Sequence, residues 1–150
     1  MWILPALALL GATPAPPPAT IFATIGHSEW CPAGNVQLDL ATGDYALTPR
    51  AARAVCQDVD LVRPVRRGRL DAAPLAAIRA AYVRAQAEGL DACRRGDHQE
   101  HVISNGGTPI LVLTSGARTI AAPRELNCWS RAASALHKAL DVPFASAHQR

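Results

Sequence analysis

Hydrophobic residues recur along this chain with two different periods. Leu75, Ile78, Tyr82 and Ala85 fall three or four positions apart, bracketed by Asp71, Pro74 and Gly89. The spacing predicts a helix from Asp71 to Gly89 with one buried stripe. Asp71 suits the N-cap, Pro74 sits in the first turn where its missing N–H does little harm, and Gly89 is a stop. A second helix is expected to begin between Arg124 and Asn127, after Pro123. Trp129, Ala132, Ala133, Leu136 and Leu140 share one side of it. Pro143 should end it, leaving Phe144 to Arg150 as a frayed tail.

Elsewhere the period is two. Asn35 to Leu40 alternates, and so does Tyr45 to Thr48 beyond a Gly-containing turn, which is a hairpin signal. With Thr42-Gly43 as the turn, opposed residue numbers sum to 85, so position 31 faces Ala54. Leu61 to Leu70 mixes β-branched residues with arginine and reads as an edge strand or an extended connection, because Pro64 cannot donate to a central ladder. Arg94 to Gln99 reads as a polar loop and His101 to Ser104 as a short strand, with a turn at Asn105-Gly106-Gly107. Pro109 to Thr114 is a continuous apolar run of strand length, expected to be central with both faces covered. Ser115-Gly116 turns the chain into a returning strand, Ala117 to Ala121. Strands joined by short turns should be antiparallel, and two one-sided helices should share a face. The expected fold is therefore α+β: a small antiparallel sheet with two helices packed on one face.

The amino terminus changes the picture of organisation. Met1 to Ser28 carries no charged side chain, and Trp2 to Ala12 is an apolar run. That run suits an export signal and falls short of the ~20 residues a bilayer span requires. A Pro-rich stretch, Pro14 to Pro18, follows. Ala19 and Ala23 are the better cleavage points. The expected organisation is an export signal and Pro-rich leader over residues 1–23, then a single disulfide-stabilised domain over 24–150.

Four cysteines agree with that reading. Cys31, Cys56, Cys93 and Cys128 are even in number and contain no Cys-x-x-Cys spacing, which disfavours a thioredoxin-type site and a zinc ribbon. The hairpin register places Cys56 two positions from the residue facing Cys31, so Cys31–Cys56 would tie its open end. Cys93–Cys128 would then join the end of one helix to the start of the other. A periplasmic or secreted location follows.

Composition adds exclusions more than it adds function. At 150 residues, 49% hydrophobic and 18% charged with net charge +3, the chain is one domain's worth of globular sequence and not a disordered tail. Lys138 is the only lysine among the 15 basic residues, which reads as coding bias at high genomic G+C.

Three clusters carry candidate chemistry. Arg63, Arg66, Arg67 and Arg69 form a basic segment. On an exposed strand, Arg67 and Arg69 share a face opposite Arg66, where a polyanion or an acidic protein could dock. No aromatic residues interleave, so nucleic acid is not an expected partner. A charged edge that discourages strand-to-strand aggregation is the plainer reading. Asp97-His98-Gln99-Glu100-His101 places two histidines three apart, a weak metal site, because the spacing matches no zinc-protease motif and no helix is predicted there. Ser104 to Thr108 lacks the pattern of a phosphate loop and reads as a tight turn. No serine pairs with a histidine and an acid. His137 lies beside the apolar stripe of the second helix as a charge partner for the helix end. Trp30 and Trp129 each adjoin a cysteine and should pack on the bridges.

These readings point to a non-catalytic binding or structural module of a bacterial envelope, with no cofactor. The alternatives are a proteinaceous inhibitor of a secreted hydrolase, presenting Pro49 to Cys56 or Pro64 to Gly68, and a metal-dependent hydrolase using His98 and His101.

Overall fold

The computed structural model describes residues 18–27, 32–49, 64–93 and 109–144. They form a six-stranded antiparallel sheet with two helices, an α+β fold. The strands are β1 (Ala19–His27), β2 (Pro32–Asp39), β3 (Asp44–Pro49), β4 (Arg66–Arg69), β5 (Leu111–Ser115) and β6 (Arg118–Ala121). Helix α1 (Ala72–Glu88) follows β4 and helix α2 (Arg131–Phe144) follows β6. Their order across the sheet is β4-β3-β2-β1-β5-β6.

Alternation along the strands decides which face the helices cover. Ile21, Ala23 and Ile25 of β1 register with Leu38, Val36 and Gly34 of β2, and Ile21 and Ala23 with Leu113 and Leu111 of β5. All of these are buried. Ile78, Ala81, Tyr82 and Ala85 of α1 and Ala132, Ala133, Leu136, Leu140 and Phe144 of α2 complete one core against them. Each fully buried Leu or Ile there contributes roughly 1.5–3 kcal/mol of transfer free energy.

The first strand crosses the boundary expected at residue 23. Ala19 to His27 is a central strand, paired on both sides, so the folded chain begins before the boundary drawn at residue 23. A cut after Ala23 would divide β1. Thr20-Ile21-Phe22-Ala23-Thr24-Ile25 has strand periodicity of its own, which the uncharged stretch around it hides.

The hairpin between β2 and β3 forms in a shifted register. Leu38 faces Tyr45 and Gly34 faces Pro49, so opposed numbers sum to 83 and not 85. The cause is Asp39. Its Oδ1 accepts from the backbone of Ala41 at 2.7 Å and of Thr42 at 3.0 Å, wrapping a loop over Leu40 to Gly43. Arg79 of α1 then donates to the carbonyls of Leu40 and Ala41 at 2.7 and 2.8 Å. The register argument for Cys31–Cys56 is displaced accordingly; both cysteines lie outside the described residues.

Further expectations change. The apolar run at 109–114 is not covered on both faces: Leu111 and Leu113 are buried, whereas Ile110 is 44% exposed and Val112 only half-buried. Helix α2 starts later than expected. Leu126–Cys128 forms a short 3-10 turn, and Ser130 caps α2, its Oγ accepting from Ala133 N–H at 3.0 Å. Phe144, the first residue of the expected frayed tail, is buried and meets Tyr45 edge-on at 5.0 Å; residues 145–150 lie outside the described residues. The predicted loop and strand over 94–104 lie outside the described residues.

Candidate functional site

Strand β4 is the sheet edge that its proline and arginines predict. Pairing with β3 sets Arg66 opposite Leu47, Arg67 opposite Ala46, Gly68 opposite Tyr45 and Arg69 opposite Asp44. Arg67 and Arg69 therefore project from the open face and Arg66 from the helix side, as alternation requires. All three are exposed. Arg63 lies outside the described residues.

Arg69 already has a partner. Its Nε donates to Asp44 Oδ1 at 2.7 Å and its Nη2 to Oδ2 at 3.3 Å. That hydrogen bond, helped by the Thr42 hydroxyl, holds the Asp44 carboxyl below its ordinary range, and Asp44 in turn raises Arg69. Both side chains are more than half exposed, so the pair contributes register more than stability. The segment from Pro64 to Gly68 is extended chain entering this edge strand, with Val65 47% exposed. Beyond Pro49, the other expected presenting segment lies outside the described residues.

At the far side, Cys93 and Cys128 are joined. The bridge reinforces a local ladder. Asp91 pairs with Trp129, Ala92 N–H donates to the Cys128 carbonyl at 2.7 Å, and Ser130 N–H donates to that of Leu90 at 2.9 Å. Ser130 Oγ also donates to the Gly89 carbonyl at 2.7 Å. The end of α1 is thus tied to the start of α2. Asp91, Cys93 and Cys128 bring their donor atoms within 4.8 Å of one another, but the sulfurs are consumed in the disulfide and cannot act as thiolate ligands. His98 and His101 lie outside the described residues.

Sequence reasoning missed a strap between α2 and β1. His137 Nε2–H donates to the Thr24 carbonyl at 2.7 Å, and Asp141 Oδ1 accepts from Gly26 N–H at 2.6 Å. One helical turn separates the two side chains, which is the spacing that could have flagged them. His137 also meets Trp129 edge-on at 5.4 Å. Its ring thus reaches the backbone of β1. Trp129 packs against this ring and donates from Nε1 to the Pro123 carbonyl at 2.8 Å.

One depression of about 420 Å³ lies where β5 begins and β6 ends, lined by Pro109, Ile110, Leu111, Ala121, Ala122 and Arg124. No helix of the described residues is long and apolar enough to cross a membrane. Comparison with protein-family models, curated proteins and solved structures finds no match.

Proposed function

We propose that this chain is a non-catalytic binding or structural module that works outside the reducing cytoplasm, in the periplasm or as a secreted protein. The observation that carries the reading is where polar side chains of the described residues are spent. Asp39, Arg79, Ser130, His137 and Asp141 each hold backbone of the fold itself. Such groups fix loops and strand ends and have little left to offer a substrate. The Cys93–Cys128 bridge fits an oxidising compartment. A screen of the purified chain against ester, peptide, phosphate and glycoside substrates should give no turnover above the blank. Turnover that disappears in His137→Gln or Asp141→Asn would overturn the proposal.

A second reading, inhibition of a secreted hydrolase, draws on Pro64 to Gly68. This exposed, extended segment is fixed downstream by Leu70 N–H bonding the Gly43 carbonyl at 2.9 Å and by the Asp44–Arg69 pair. A preorganised segment loses less entropy on docking to a cleft. Inhibition of any member of a protease panel would favour it over the passive module. The metal-dependent alternative makes a simple prediction: stoichiometric zinc in protein purified without a histidine tag.

A further inference from the structure

We propose that β4 takes up an extended acidic peptide as a seventh strand, reading the pattern acidic–apolar–acidic. The inference rests on the binding-module reading and names a partner chemistry for it. It begins with the backbone. Leu70 N–H bonds the Gly43 carbonyl, in the same register that pairs Gly68 with Tyr45 and Arg66 with Leu47. In an antiparallel ladder every second residue exchanges both bonds with its neighbour. Leu70, Gly68 and Arg66 therefore turn their N–H and C=O groups toward β3. Arg67 and Arg69 turn theirs outward, along an edge with no neighbouring strand among the described residues.

The side chains fix the chemistry of the incoming strand. Arg67 and Arg69 lie on the open face, so residues hydrogen-bonded to them would place side chains on that same face, two positions apart. Arg67 is exposed and carries no ion pair among the described residues. Arg69 shares Asp44, but its side chain is 67% exposed and can meet a second carboxylate. Both peptide positions therefore favour aspartate or glutamate. The residue between them lies opposite Gly68 on the helix side. Gly68 has no side chain there, and Tyr45 fills its space, with Oη 2.6 Å from where a Cβ would stand. An apolar side chain would rest against that ring.

Backbone pairing is what separates this mode from a polyanion held by arginine side chains alone. The test uses the full oxidised chain and an end-blocked peptide, Thr-Val-Glu-Val-Glu-Val-Thr, followed by calorimetry and by amide shifts over 64–70. Binding should weaken about threefold in Arg67→Gln, which removes an exposed charge. It should weaken about tenfold or more in Arg67→Pro, which also removes an outward N–H while sparing the bonds to β3. N-methylation of both glutamates should abolish it. Unfolding curves of the variants check that each is folded, and the methylated peptide tests the unaltered chain in any case. Equal binding of the methylated peptide, or of polyphosphate with Arg67→Pro no worse than Arg67→Gln, would show a charge patch only and overturn the proposal. So would no binding at all. None of these results touches the binding-module reading, which fails on turnover instead.

Discussion

Tyr45 and Gly68 face each other across β3 and β4, and the tyrosine ring occupies the room the glycine leaves. A ring laid over a glycine in a neighbouring strand shields backbone that would otherwise be open, and here the same ring meets Phe144 from α2. Gly68→Ala should therefore destabilise the protein by about 1–2 kcal/mol, although alanine is ordinarily the better strand residue. Urea unfolding of the oxidised protein measures this, and an unchanged or higher midpoint would contradict it. Asp44 makes a second expectation at this scale. Its folded-state carboxyl titrates below the ordinary aspartate range because Arg69 and then Thr42 hydrogen-bond the anion. The stability it contributes is present above that ordinary range and is lost as pH falls through its own depressed midpoint. Carboxyl NMR titration should show the low midpoint, and Arg69→Gln should return it toward the ordinary value.

Among the elements, one small hydroxyl serves both sides of the joint between the helices. Ser130 Oγ accepts from Ala133 N–H and donates to the Gly89 carbonyl, so it caps α2 and holds the end of α1 at once. Ser130→Ala should cost about 1–2 kcal/mol, toward the upper end for an N-cap, because the Gly89 carbonyl also loses its donor. A loss below half a kcal/mol, read by thermal unfolding, would contradict the double role. Element by element, the sequence was readable where one signal stood alone. The stripe of α1 and its end at Gly89 emerge as expected, as do the edge position of β4 and the hairpin of β5 and β6. Where two signals compete, the stronger one misleads. Ile21, Ala23 and Ile25 spell a strand, yet they sit in an uncharged stretch behind a Pro-rich run that looks like a leader. Pro123 suggests an immediate helix start, but a 3-10 turn and an extended Trp129 intervene before Ser130. The hairpin register moved because a side chain, Asp39, chose the loop, which alternation of apolar residues cannot reveal. Of the candidate site, alternation located Arg67 and Arg69 on one face. Their outward backbone groups and the Asp44 partner needed the register itself.

At the scale of the whole molecule, the sheet is held by its middle. Strand β1 pairs with β2 on one side and β5 on the other, and α2 straps it through His137 and Asp141. A chain beginning at Pro18 should keep its circular-dichroism spectrum and a cooperative melt. One beginning at Thr24 loses Ile21 and Ala23 from the core and the pairing of β1 with β5, and should not fold. A folded chain beginning at Thr24 would contradict the place given to β1. The same reasoning expects any export cleavage to fall before Ala19. The joint between α1 and α2 is oxidised, closed by Cys93–Cys128. The most direct measurement is a non-reducing peptide map of the protein recovered from its native cells, with free thiols alkylated at lysis. A fragment linking Cys93 to Cys128 is the expected result; alkylated Cys93 and Cys128 in the folded protein would contradict it.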